Sequence, residues 1–231
     1  MKLPLVTAVF FVALRLTALC AATGEHIDVG GVDAIIPAPQ HFLEARDSFA
    51  EFPPEMPNRL LAVFMTPDEV KQRNANPASP LTKFMQIQVS KDAENHDLTS
   101  SEFSDLATKM SSVQDNVFGS AVDDVNAMLK KMLSQSPDHL AVELSQPKTL
   151  GTFLNTDNAV GILMAMSMKA QGPSGIQRTQ YVIASCVLFR VKNRLLYSYT
   201  YCDIGEKDAV GWVKSAATDW MNAILAANEA P

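Results

Sequence analysis

Residues 181–202 read YVIASCVLFRVKNRLLYSYTYC and contain the clearest signal of strand pairing in the sequence. Two runs with the length and composition of β-strands, 181–191 and 195–202, lie on either side of Lys192-Asn193. Strands joined by so short a connection must run antiparallel, because parallel strands need a crossover of a dozen or more residues. The stretch therefore predicts a hairpin within an antiparallel sheet.

The turn length decides how the two cysteines of this hairpin are placed. A two-residue turn pairs Cys186 with Tyr199 and Cys202 with Ile183, so that the thiols lie on opposite faces of the sheet. A three-residue turn puts them on one face but diagonally, about 7–8 Å apart. Disulfides usually need Cα atoms about 4.4–6.8 Å apart, so both registers disfavour a bridge. The formation of a disulfide stays open, and two buried thiols are the simpler interpretation.

Two amphipathic helices flank the sheet in sequence. Thr99 and Glu102 have the spacing of a capping box, which predicts a helix beginning near residue 100. Apolar residues then recur at steps of three and four as far as Met132, which predicts a long helix over about 100–135. Gly119 lies inside this pattern and could bend or break it. A second stripe predicts a C-terminal helix over about 207–228.

The order of elements predicts an α+β fold in which both helices cover an antiparallel sheet. We expect a single domain over residues 23–231, with a loose N-terminal lead-in over 23–31 and a strand at Val32–Ile36. The polar segment 66–80 contains Pro and Asn residues, so it is expected to be a loop.

This order of elements, with a turn after Ile36-Pro37-Ala38-Pro39, resembles the PsbP-like α+β sandwich of small exported and lumenal proteins. The resemblance is one of topology over most of the chain. It implies an accessory or assembly role rather than catalysis, and it assigns no functional residue.

The N-terminus predicts the cellular address. Met1-Lys2 is followed by an apolar run, Leu3–Leu14, and by small residues at Cys20-Ala21-Ala22, which is the layout of a signal peptide over 1–22. The run is shorter than the roughly 20 residues that span a bilayer, so stable membrane insertion after cleavage is not expected. Cleavage changes the formal charge from −6 to −8, which disfavours nucleic acid as a partner. We expect an exported protein of the periplasm or extracellular space.

Two rows of alternating side chains are candidates for binding. Tyr197, Tyr199 and Tyr201 share one strand face and are the predicted binding surface; the alternative is an aromatic row that only stabilises the sheet. Met164, Met166 and Met168 also share one face. Thioethers can bind Cu(I), but packing in the core is the expected role of this row.

No catalytic residue can be assigned from the sequence. His26, His41, His96 and His139 are scattered without the spacing of metal ligands, and no nucleophile elbow or phosphate-binding loop occurs. Neither a metal nor a cofactor is therefore expected.

Two classes of function remain. The first is a non-enzymatic accessory, assembly or binding protein with a protein partner in the cell envelope; a homodimer formed through the long helix is also open. The alternative is an extracytoplasmic hydrolase whose site is assembled from residues distant in sequence.

Overall fold

The computed structural model describes residues 24–46, 56–75, 79–112, 122–123, 126–127, 130, 141–171 and 177–229. The predicted signal peptide, Gly119 and His139 lie outside the described residues. The strands are β1 (Glu25–Val29), β2 (Val32–Ile36), β3 (Leu43–Glu44), β4 (Asn58–Met65), β5 (Lys83–Ser90), β6 (Ala141–Leu144), β7 (Lys148–Thr156), β8 (Ala159–Gln171), β9 (Gln177–Val191) and β10 (Arg194–Asp203). The helices are α1 (Pro67–Ala75), α2 (Ser100–Ser111) and α3 (Ala209–Asn228).

The strands form an antiparallel sheet of eight strands and a separate two-stranded hairpin, β1–β2. In the larger sheet the order is β3-β4-β5-β10-β9-β8-β6, and β7 pairs with β8 beside β6. Each pairing is antiparallel, as the short connections predicted. The α+β fold class and the C-terminal helix are thus confirmed.

The central hairpin has the predicted two-residue turn. Lys192 and Asn193 have φ of 46° and 65°, the left-handed conformation that the favoured hairpin turn requires at both positions. Tyr199 pairs with Cys186 and Cys202 with Ile183, as the sequence predicted for this turn.

Among the described elements, α3 covers one face of the sheet and α2 packs on the other. α3 packs on one face through Val213, Ala217, Trp220, Met221 and Ile224, all buried. At its end, the side-chain amide of Asn228 donates to the carbonyl of Ile35 (2.7 Å) and accepts from its N–H (2.8 Å). We call the side of the sheet that α3 covers the α3 face. The opposite face, the α2 face, carries Phe103 and Ala107 of α2 over Met164 and Ala184.

The prediction of one continuous helix over 100–135 is wrong, because the described helix that begins there is much shorter. α2 begins with the predicted capping box of Thr99 and Glu102 but ends at Ser111. The hydroxyl of Ser112 donates to the carbonyl of Lys109 (2.7 Å), the kind of local bond by which serine competes with a continuing helix. Residues 122–123, 126–127 and 130 are helical again.

The segment expected to be a loose lead-in contains a strand instead. β1 pairs with β2 through a turn at Gly30 and Gly31, whose φ values are 57° and 80°. Arg194 holds this turn, since its Nε donates to the carbonyl of Val29 (3.2 Å) and its Nη2 to that of Gly30 (2.9 Å). The sequence did not predict this strand because the arginine that pairs with the carbonyls at its end lies about 165 residues away in the chain.

The segment expected to be a loop over 66–80 contains α1. Thr66 and Glu69 form a capping box, in which the Thr66 hydroxyl accepts from the N–H of Glu69 (3.3 Å) and the Glu69 carboxylate accepts from the N–H of Thr66 (3.3 Å). Pro67 stands at the first helical position, which suits its fixed φ. Among the described helices, none is long and apolar enough to cross a membrane.

Candidate functional site

The predicted tyrosine row lies on the α2 face, in the middle of the sheet. Strand β10 places Tyr197, Tyr199 and Tyr201 directly opposite Leu188, Cys186 and Ala184 of β9. The three rings are partly buried and pack against the cluster that contains Phe103 and Ala107 of α2. The row thus packs against the core, and part of each ring remains exposed; its role as a binding surface stays a prediction.

The rings of this row stack on one another. The ring centroids of Phe84 and Tyr201 are 4.3 Å apart at an interplanar angle of 11°, and those of Tyr199 and Tyr201 are 6.2 Å apart at 19°. Tyr201 thus has an aromatic neighbour on two sides, and the amide of Gln86 donates to its hydroxyl (3.1 Å). At Tyr201, therefore, stacked neighbours restrict access to the ring faces, and its hydroxyl is already hydrogen-bonded.

The tyrosine hydroxyls remain protonated at neutral pH. Burial, with a smaller contribution from Cys186, raises the pKa of Tyr197, Tyr199 and Tyr201 above the usual value. Burial also raises the pKa of the Cys186 thiol to about 12. Groups in these states form hydrogen bonds but do not exchange protons near pH 7, so the row suits binding better than acid–base chemistry.

The two described cysteines are free thiols on opposite faces of the sheet. Cys186 lies on the α2 face, opposite Tyr199 on the neighbouring strand. Cys202 packs on the α3 face beside Val213. Burial raises the pKa of Cys202 to about 11. Both thiols are therefore poor nucleophiles at neutral pH.

The methionine row on β8 begins in the core. Met164 is 4 % exposed on the α2 face, and Met110 and Met166 pack against the same cluster. Met168 is partly buried further along the strand. Met164 and Met166 therefore pack in the cluster between the sheet and α2, which agrees with the expected role in packing for these two members of the row.

The structure does not bring the described histidines together. His26 Nδ1 lies 2.8 Å from Asp33 Oδ2 in the β1–β2 hairpin, His96 Nε2 lies 3.7 Å from Glu102 Oε1, and His41 is exposed. Across the described part of the chain, no three His, Cys, Asp or Glu side chains are grouped so that they could hold a metal ion.

A polar groove of about 620 Å³ runs between α2 and the β7–β8 turn. Sequence reasoning missed it, because the two walls are far apart in the chain. The residues that line it are Ser100, Ser104, Ala107 and Thr108 of α2, Asn155, Thr156, Asp157 and Asn158 of the turn region, and Arg190 of β9. A second groove of about 550 Å³ lies beside β6 and contains Asn126, Lys130 and Lys169. No histidine that the structure describes lines either groove.

Three exposed apolar side chains come from β9, from the residue after β10 and from the first turn of α3. Tyr181 is 58 % exposed, Ile204 55 % and Val210 39 %. The N–H of Ile204 donates to the carbonyl of Tyr181 (3.0 Å), and Val210 is in the first turn of α3. We call these three residues the α3 rim. Tyr181 begins an apolar run in the sequence, and the sequence does not distinguish this exposed residue from the buried residues that follow it.

Comparison with known proteins adds little. No family model matches the chain, and no curated protein matches it. Among solved structures, the Ran-binding protein Mog1p of Saccharomyces cerevisiae is similar at 10 % sequence identity and a TM-score of 0.30, over 89 % of this chain and 92 % of that one.

Proposed function

We propose that this chain is an exported, non-enzymatic accessory or assembly protein that binds a protein partner through the α3 rim. The observation that carries the proposal is the exposure of Tyr181 and Ile204, which a backbone hydrogen bond joins, and of Val210 in the first turn of α3. Apolar side chains that gather on a surface are typical of protein contacts, and tyrosine is enriched at the centres of such contacts.

The proposed address is the periplasm or the extracellular space. The basic start, short apolar run and small residues of 1–22 support export, and the acidic mature chain suits a protein outside the cytoplasm. The structure has an α+β fold. The resemblance of the predicted order of elements to PsbP-like proteins is the basis for proposing an accessory role.

The tyrosine row is the second candidate surface. Tyr197, Tyr199 and Tyr201 form an uncharged strip with Gln86, and their protonated hydroxyls can both donate and accept hydrogen bonds. We rank it below the α3 rim because its rings are already packed against the core and against one another.

Site-specific photo-crosslinking in the living cell tests both surfaces. A benzophenone amino acid is placed at Tyr181, at Tyr197 or at Leu150, an exposed apolar control on β7 that is 46 % exposed. We expect one adduct of defined mass at Tyr181 that is absent at Leu150 and is lost when Ile204→Asp is added. An adduct at Tyr197 alone would assign binding to the tyrosine row, and equal adducts or none at the three positions would refute the binding role.

Export is tested separately on the same cells. Fractionation and intact-mass measurement should find the chain outside the cytoplasm without residues 1–22. A cytoplasmic chain with an intact N-terminus would contradict the proposed address.

A further inference from the structure

The polar groove beside α2 has two walls that are formed by segments distant in the sequence and are lined by similar polar groups. Ser100, Ser104 and Thr108 are four residues apart, so their hydroxyls lie along one side of the helix. The other wall carries the side chains of residues 155–158 at the β7–β8 turn. Hydroxyl and amide groups therefore face the groove from both sides. The hydroxyls of Thr108 and Thr156 already donate to the carbonyls of Ser104 (2.9 Å) and Ala159 (3.3 Å), so toward a ligand they act as acceptors.

The charges in the groove cancel. Among its described lining residues only Asp157 and Arg190 are charged, and they have opposite signs. The groove thus favours neither an anion nor a cation, and the acidic chain as a whole further disfavours an anion.

Arg190 makes the turn wall rigid. Its Nε and Nη2 donate to Oδ1 of Asn158 at 3.2 and 2.9 Å, and its Nη1 donates to Oδ1 of Asn193 at 3.1 Å. The backbone N–H of Arg190 also donates to the carbonyl of Asn158 (2.9 Å). The amide nitrogen of Asn158 is therefore held in place, and a wall arranged before binding lowers the entropy cost of capturing a ligand.

The helix wall is fixed as well. The capping box of Thr99 and Glu102 sets the start of α2, and Ala107, 6 % exposed, packs against the sheet cluster at the base of the groove. The volume of about 620 Å³ lies in the range of small-molecule sites.

From this lining we infer that the groove is a binding site for a neutral polyhydroxylated ligand, a short oligosaccharide. Each sugar hydroxyl both donates and accepts, so it can pair with the donor of the Asn158 amide and with the acceptors of the Thr108 and Thr156 hydroxyls, as well as with the serine groups that line the helix wall. No aromatic ring is among the described lining residues, so hydrogen bonds must supply the affinity and we expect dissociation constants in the millimolar range. The inference concerns a surface separate from the α3 rim and does not depend on the proposed function.

Nuclear magnetic resonance titration of the isotope-labelled full chain tests the site. The probes are maltotriose, cellotriose and triacetylchitotriose, with inorganic phosphate as an anionic comparison. We expect saturable shifts at groove residues with at least one trisaccharide and none with phosphate. Ser104→Leu, which fills the groove, should weaken binding at least tenfold, whereas Ser101→Leu, exposed on the same helix outside the lining, should leave it unchanged.

Three results would overturn the inference: no shift with any trisaccharide at tens of millimolar, shifts with phosphate alone, or equal affinities for Ser104→Leu and Ser101→Leu. If Ser104→Leu does not fold, Thr108→Leu fills the same groove one turn further along and is judged by the same criteria.

Discussion

The carboxylate of Glu69 accepts hydrogen bonds from both the backbone N–H and the hydroxyl of Thr82, at 2.6 and 2.9 Å. Glu69 is 5 % exposed, and the same oxygen accepts from the N–H of Lys83 (2.6 Å). Its other oxygen accepts from Thr66, so one side chain joins the start of α1 to the start of β5.

Replacing this carboxylate should be costly. Glu69→Gln replaces one carboxylate oxygen by an NH2 group. Even in the less costly orientation this group takes the place of Oε2, which accepts from the N–H and the hydroxyl of Thr66, so the buried N–H loses its partner. We expect a loss of about 2–4 kcal/mol in the free energy of unfolding, measured by urea denaturation. Asp68→Asn, at the exposed neighbouring position, is the control and should cost less than about 1 kcal/mol. Similar losses for both variants would contradict the role given to Glu69.

Local patterns predicted the parts of the fold that local interactions determine. The register of β9 and β10 follows from a two-residue turn, and the cap of α2 from Thr99 and Glu102. Helix α1 was missed because Val70 is its one large aliphatic residue, so no apolar stripe marks it. The capping box of Thr66 and Glu69, with Pro67 between them, was the available signal.

The candidate surfaces could not be predicted, because they depend on contacts between distant segments. The polar groove needs α2 beside the β7–β8 turn, and the α3 rim needs Ile204 beside Tyr181. The tyrosine row could be placed on a face from its alternation, but the extent of its burial depends on α2. The alternation of residues along a strand predicts which face of the sheet a side chain occupies, but it does not predict which other element covers that face.

Three hydroxyls in the core offer a route to a more stable protein. Ser185, Ser198 and Thr200 are fully buried on the α3 face, and their hydroxyls have no hydrogen-bond partner among the described residues. Thr200→Val keeps the shape and removes one such hydroxyl, so the free energy of unfolding should rise by about 1–2 kcal/mol. Thr200→Ser keeps the hydroxyl and removes a methyl group, so it should destabilise by about 1 kcal/mol. A Thr200→Val variant no more stable than the wild type in urea would show that this hydroxyl is satisfied.

Stability should fall in alkaline solution. Burial raises the pKa of Cys186 to about 12 and raises those of Tyr199 and Tyr201 as well, so these groups stay neutral in the folded chain while the unfolded chain ionises. The stabilisation is complete below about pH 9 and is lost as the pH rises toward 12, at up to about 1.4 kcal/mol per pH unit for each group.

Two tyrosine variants test this dependence. Tyr201→Phe should reduce the slope of unfolding free energy against pH between 10 and 12, because one shifted group is removed. Tyr181→Phe removes an exposed hydroxyl and should leave the slope unchanged. Identical slopes for the two variants would exclude burial of Tyr201 as a cause of the alkaline loss.

The β1–β2 turn provides a matched pair of glycines that separates backbone strain from steric exclusion. Both have positive φ, but a Cβ on Gly30 would lie 2.0 Å from the carbonyl oxygen of Glu94, whereas one on Gly31 would meet nothing within 4 Å. Gly31→Ala should therefore cost about 1–2 kcal/mol for its left-handed conformation alone. Gly30→Ala must also displace backbone that Arg59 holds through Glu94 (2.9 Å), so its cost should exceed that of Gly31→Ala by about 1–3 kcal/mol in urea denaturation. Equal costs would mean that the hairpin tip moves freely away from Glu94, and that the arginine contacts do not fix β1 against the sheet.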